Sequence, residues 1–453
     1  MEFILENLFK FPDSMRRNAV WTLSNMCRGK PSPDWTRVSK MLVPLHQLLD
    51  QTKDYDVIID ILWAVSFLSE DREEEETTGA NNSTTDEQPI KSNKDENTTA
   101  TRHIEAILQT GAVKRVINLL KHAAKIGEES WAQISELRIE AARNGSKADE
   151  NIPAEIRKKL HVSDCLIAPC IRILGNIVSG SDRQTAEVVA AGFYEVIEIG
   201  VDHRINNVKK EACWALSNVV AGTANQLNLF YSKAALVKSV LLSKHFFVVH
   251  ILVYLEHNNK VTLRNLFLKV VNICKQGDVN VRKEAGWCLS NAVYSSSFEQ
   301  IGILTDAGFI EAMVDLLDIK NPENVLVMAM EALMMCLVAY NRYFHRADSA
   351  FNPLAEKIEG LGGVDKLESI QATESVSHRC CQKAATFVSS FWPEDDSVSV
   401  ENIGDQEPVK ENWFSFLLNL KEDAQSSFLY IDYFRLRFAQ HLFSFSLRKK
   451  KHF

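Results

Sequence analysis

Three stretches decide the fold: RRNAVWTLSN at 16–25, KKEACWALSN at 209–218 and RKEAGWCLSN at 282–291. Each sets small and apolar residues at helical intervals around a Trp, with an Asn four positions on. Weaker copies are IIDILWAVSF at 58–67 and APCIRILGN at 168–176, with Arg172 in the Trp place. Trp21 to Trp63 is 42 residues, and Arg172 to Trp214 is again 42. A helical phrase returning at a fixed interval, with no β-turn signal between copies, predicts stacked helical repeats that share one continuous core.

A second phrase opens another helix in each unit: QTGAVKRVINLL around Gly111, AAGFYEVIEIG around Gly192, SKAALVKSVLL with Ala235 in the glycine place, and DAGFIEAMVDLL around Gly308. Trp287 to Gly308 and Trp214 to Ala235 are both 21 residues, so two independent landmarks keep one ruler. The period matches helical armadillo or HEAT repeats. The expectation is an all-α chain, a right-handed armadillo-repeat α-solenoid of about seven repeats over residues 1–396, followed by a non-repeat tail at 397–453.

Where the ruler fails it marks insertions. Trp63 to Gly111 is 48 residues, and the excess falls at about 71–101. That stretch holds nine acids and three bases amid Thr, Asn and Ser, has almost nothing to bury, and is expected to be a disordered insertion. Gly111 to Arg172 is 61 residues, which makes about 124–163 extra, expected as a separate polar helix or loop. Ala235 to Trp287 is 52, which makes about 243–272 extra, here with the apolar run KHFFVVHILVYLEH.

Composition excludes several classes. The 453 residues carry 51 Lys+Arg against 59 Asp+Glu, a formal charge of -8, and are 46% hydrophobic with only 18 Gly and 11 Pro. This is neither a collagen nor a turn-dense β-barrel nor a wholly disordered chain. Nine Cys without CxxC spacing read as reduced thiols of a cytosolic or nuclear protein. The start, MEFILENLFKF, has Glu2 and Glu6 where a secretory signal would be basic. The longest apolar run, residues 246–255, is too short for a membrane helix, so no span is expected. The array has no basic stripe for nucleic acid. Without HExxH, GxGxxG or GxxxxGK[ST], no catalysis, metal or cofactor is expected.

Trp and Asn four apart lie on one helix face, and stacking turns such faces into a ladder. An Asn amide can bond the backbone of any chain laid across it, whatever that chain's side chains. Trp rings hold the stem of Lys or Arg, whose cation the ring face attracts by about 0.5–2 kcal/mol. Acids stand close by: Glu211 and Glu284 three before Trp214 and Trp287, Asp60 three before Trp63, and Asp182 in the loop after Asn176. The expected ligand is an extended Lys/Arg-rich peptide, and because these acids are taken as exposed, salt should weaken its binding. A single Trp-xxx-Asn is better read as a core Trp with a solvated Asn. Three copies in one register are not, since packing alone asks for no amide at a fixed place beside the largest aromatic side chain.

On the segments WTLSNMCRGKPSP, ILGNIVSGSDRQT, KKEACWALSNVVAG and RKEAGWCLSNAV the chain resembles importin alpha, the armadillo adaptor that carries proteins with basic nuclear localisation signals. The match is to that family's fourth, sixth, seventh and eighth repeats. The resemblance implies a minor peptide site of Arg172, Asn176, Asp182, Glu211, Trp214, Ser217, Asn218, Glu284, Trp287 and Asn291. It also implies a remnant of the major site at Trp21, Asn25, Asp60 and Trp63. Phe67 stands in the Asn place of the fifth unit, and Glu331 and Met335 take the Trp and Asn places of the ninth. Implied partners are cargo proteins with basic signals, in cytoplasm and nucleus. Importin beta is a family partner, but the segment that binds it is not in this sequence, which begins within what resembles the fourth repeat. The alternative is a generic armadillo scaffold for protein contacts without transport. The closing RKKKH, 448–452, reads as a solvated charge run or as a mimic of cargo lying in the groove in cis.

Overall fold

A computed structural model describes residues 1–29, 33–70, 99–144, 152–228, 230, 266–343 and 352–392. Most of the acidic insert, the apolar insert before 266, the Ala235 phrase and the tail with its basic end lie outside the described residues. Cα packing divides the chain into Met1–Pro393 and Glu394–Phe453, and only the first unit is described below.

The unit is an all-α stack of helical repeats, and among the described residues no strand occurs. Its helices run α1 (Glu2–Asn7), α2 (Asp13–Cys27), α3 (Trp35–Val38), α4 (Leu42–Gln51), α5 (Tyr55–Ser69), α6 (Thr99–Gln109), α7 (Ala112–Arg143), α8 (Ala154–Val178), α9 (Asp182–Ala190), α10 (Phe193–Val201) and α11 (Asn206–Val220). They continue as α12 (Leu266–Gln276), α13 (Val279–Tyr294), α14 (Phe298–Asp306), α15 (Phe309–Leu316), α16 (Glu323–Tyr343), α17 (Pro353–Gly360), α18 (Gly363–Ala372) and α19 (His378–Phe391). A typical unit is a short helix, a second helix and a longer third, as in α9–α10–α11, α14–α15–α16 and α17–α18–α19. The third helices stack in the order α2, α5, α8, α11, α13, α16, α19, each against the next. Seven helices thus form one ladder.

Local chemistry sets the joints. Gly111, Gly192, Gly308 and Gly362 have φ between 72° and 108° and stand at the N-caps of the second helices, a left-handed turn that any Cβ would strain. Ser181 with Gln184 and Ser297 with Gln300 form capping boxes at the starts of α9 and α14. Thr223 and Gln226 exchange the same bonds. Beneath, Leu174, Ile177, Leu216, Val220, Leu289 and Leu333 are fully buried in a core that runs unbroken from unit to unit. Gly200 and Gly286 allow that closeness: a Cβ at Gly200 would lie 2.3 Å from Ile171 Cδ1, and one at Gly286 2.8 Å from Leu316 Cδ1.

The insert at 124–163 corrects its expectation. It is not a separate helix or loop: α7 continues to Arg143 and α8 begins early at Ala154, so the two helices of one unit are prolonged in place. Between 113 and 143 no proline and one glycine, Gly127, interrupt the chain, and Gly127 lets Ser163 approach until its Oγ donates to the Ala123 carbonyl at 2.7 Å. Arg204 ties the prolongation down, pairing with Asp164 on α8 while its guanidinium lies 5.8 Å from the Trp131 ring on α7. Among the described residues two helices, α8 and α16, are long and apolar enough by composition to cross a membrane. Their apolar windows are 67% and 50% buried against neighbouring helices, which accounts for the hydropathy of a core helix.

Candidate peptide-binding face

The stacked third helices carry the expected residues in the order Trp21 and Asn25 on α2, Asp60 and Trp63 on α5, Arg172 and Asn176 on α8, Glu211, Trp214, Ser217 and Asn218 on α11, and Glu284, Trp287 and Asn291 on α13, with Asn176, Glu211 and Ser217 buried between helices. Asp182 sits apart, exposed in the first turn of α9.

The stacking is close where α8 meets α11. A Cβ on Gly175 would come 2.5 Å from Cζ3 and 2.9 Å from Cε3 of Trp214, so the indole rests directly on the α8 backbone. The Arg172 guanidinium lies 5.8 Å from the same ring, and its Nη1 is 3.1 Å from Glu211 Oε2. Lys210 Nζ is 3.6 Å from the other oxygen of Glu211. One expectation changes here. Glu211 is not an exposed acid awaiting a ligand: its side chain is 8% accessible and already carries two cations.

Asparagines knit the ladder. Asn176 is buried and donates to the Ser66 carbonyl at 2.9 Å and to Ser69 Oγ at 3.0 Å, both on α5. Asn291 donates to the carbonyl of buried Ser217 on α11 at 3.3 Å. Asn25 differs: it is exposed and bonds back to its own Trp21 carbonyl at 2.8 Å. These amides therefore hold neighbouring third helices in register, a use that the spacing of Trp and Asn along one helix did not reveal.

On α13 the polar groups are less well matched. Among the described residues the Trp287 indole N–H and Glu284 Oε2 are out of water with no hydrogen-bond partner. Burial raises the Glu284 carboxyl above its usual range, opposed by Lys283 and Lys210 and assisted by Glu211. Buried polar atoms normally find a partner, and these two have none among the described residues. Asp60 is likewise raised by burial and by Asp56. Trp63 stacks on Phe67 with centroids 5.9 Å apart, and Arg28 lies 5.9 Å from the Phe67 ring. Trp21, by contrast, is 60% exposed. Sequence reasoning passed over Tyr294 and Lys383, which extend the row: both contact Glu331, the acid in the Trp place of α16.

No group of three or more metal-ligating side chains occurs among the described residues. All nine cysteines are free thiols, seven of them buried, and burial pushes Cys213 and Cys274 up to about 12, the opposite of what a nucleophilic thiolate needs.

No family model matches the chain. Importin subunit alpha-1b of Oryza sativa subsp. japonica is 24% identical over 414 residues, covering 89% of this chain and 58% of that protein. Importin subunit alpha-4 of Arabidopsis thaliana is 25% identical over 390 residues, covering 85% and 53%. Importin subunit alpha-1 of Schizosaccharomyces pombe reaches 37%, over 110 residues. The chain spans about half the length of the curated relatives it matches. Among solved structures, a match to the designed armadillo repeat protein YIII(Dq)4CqI covers 77% of this chain and 99% of that one at 16% identity and a TM-score of 0.45.

Proposed function

We propose that this chain, which is 24–26% identical to importin alpha subunits over 85–89% of its length, acts as a member of that family and binds an extended Lys/Arg-rich segment of a partner protein, a nuclear localisation signal, across α8, α11 and α13, as an adaptor for import into the nucleus. Cytoplasm and nucleus are then its compartments, and importin beta is the partner the family relationship implies.

One observation carries the reading. Third helices in register set Trp214 and Trp287 beside acids at the same offset, Glu211 and Glu284, and the α13 pair leaves an indole N–H and a carboxylate oxygen unsatisfied. A peptide carbonyl would accept from the Trp287 N–H, and a lysine or arginine head would neutralise Glu284. At the α11 station, Arg172 already fills one side of Trp214 and neutralises Glu211, so the weaker cation preference belongs there and the stronger at Glu284.

The second reading, a scaffold without transport activity, is favoured by the bases flanking the same acids: Lys209 and Lys210 on α11, and Arg282 and Lys283 on α13. Titration of a labelled peptide of alternating lysine and arginine into the whole chain separates the two. Saturable binding to it, absent for its alanine counterpart and for an acidic peptide, supports the adaptor reading. Preference for the acidic peptide supports the scaffold.

A further inference from the structure

The ladder's Trp places end in a way the resemblance does not account for. Reading along the third helices, they are Trp21, Trp63, Arg172, Trp214, Trp287, Glu331 and Lys383. The last two are opposite charges on adjacent helices, α16 and α19, and they meet: Lys383 Nζ pairs with Glu331 Oε1, with side chains 12% and 24% accessible. The other carboxylate oxygen is taken too, because Tyr294 Oη donates to Glu331 Oε2 at 3.2 Å. Tyr294 lies seven residues after Trp287, on the same stripe of α13, so this bond links the last Trp station to the pair.

We propose that the Glu331–Lys383 pair, closed by Tyr294, is an end stop that bounds the cation-binding row at Trp287 and selects against a basic side chain in the position beyond it. The inference rests on the groove reading above. Glu331 would otherwise repeat the acid of the earlier stations and accept a ligand cation. Lys383 supplies that cation in cis, and its retained ammonium meets any further Lys or Arg of a ligand with like charge, which penalises a wrong partner more than the same charge stabilises a right one. A ligand should therefore present its basic cluster to α8–α13 and a neutral residue over α16.

The test uses the full chain and three labelled peptides: an alternating lysine/arginine core, the core with two lysines added at its N-terminus, and the core with two added at its C-terminus. Each is titrated into the unaltered protein, Lys383→Met and the double variant Glu331→Gln with Lys383→Met. In Lys383→Met the core should bind as in the unaltered chain, while one extended peptide gains about fivefold, the scale of a partly exposed ion pair. That gain should vanish in the double variant, which has no acid to receive the lysine. Should Lys383→Met fail to fold, Lys383→Gln, whose amide can still donate to Glu331, takes its place with the same expectation. Equal gains from extension in the unaltered and Lys383 variants, or none in the variant, overturn the end stop while leaving the groove reading standing. No binding of the core peptide to the unaltered chain overturns the groove reading and the end stop with it.

Discussion

Replacing Gly175 by alanine tests the seat of Trp214 without touching the indole. The added methyl would begin 2.5 Å from Trp214 Cζ3 and 3.3 Å from the Ala215 methyl, against an ordinary contact of 3.4–4 Å, so the ring must move by about 1 Å. In an unconstrained helix the same change stabilises by about 1 kcal/mol, because glycine loses the most backbone freedom on folding. Overpacking of a filled contact costs about 1–3 kcal/mol, so the net effect at 175 should be a loss of up to about 2 kcal/mol. Gly302, within α14, is the control: nothing lies within 4 Å of its would-be Cβ, and alanine there should stabilise. Unfolding in urea, followed by circular dichroism, reads both. Because Trp214 would leave its position beside Arg172, Gly175→Ala should also weaken a basic peptide by about three- to tenfold, the range of a displaced cation–π contact. If Gly175→Ala stabilises as much as Gly302→Ala and leaves peptide affinity unchanged, the indole does not rest on α8 and the geometry of the face is wrong.

Other outcomes follow from the same contacts. Trp214→Ala combined with Trp287→Ala should cost basic-peptide binding at least about 2 kcal/mol, as aromatic anchors do, measured by fluorescence anisotropy. Glu284→Gln should separate binding from stability. The folded-state carboxyl is raised above its unfolded value, so native Glu284 holds its proton longer, and its contribution to stability falls as pH rises through the interval between the two values. The amide variant should therefore be more stable than the parent at neutral pH, converge with it below the unfolded value, and bind the basic peptide less tightly; a parent and variant with identical pH–stability curves would contradict this. Asn176→Ala should lose about 1–3 kcal/mol in urea unfolding, since it opens two buried bonds, whereas exposed Asn25→Ala should change little. Raising salt should weaken peptide binding only modestly, since Glu211 and Glu284 are screened by protein and not by solvent.

The helical repeat was legible because it is written locally. Trp-xxx-Asn phrases and the glycines at 111, 192 and 308 repeat one local pattern, and each fixes a helix or a left-handed joint without reference to the rest of the chain. The fourth such joint, Gly362, was not legible, because it falls 31 residues after Glu331 where the spacing of the other units sets 21. The prolongation of α7 was marked as surplus but not as helix, although ISELRIEAAR contains no breaker and runs on from the helix before it. What could not be read was partnership across helices. That Glu211 spends its charge on Arg172, 39 residues earlier, and that Glu331 meets Lys383, 52 residues later, depends on which face each third helix turns to its neighbour. The mistaken exposure of the acids has the same source, because an acid three before a Trp points along the seam between stacked helices and the seam is visible only once they are packed.

The central claim concerns where a basic strand lies. A lysine/arginine peptide carrying a photo-crosslinking group at successive positions, bound to the whole chain, irradiated and mapped by mass spectrometry, should label α8, α11 and α13 within residues 172–218 and 284–291, with the label lost on competition by unmodified peptide. Labels confined to the outer second helices or scattered evenly over the surface would contradict it.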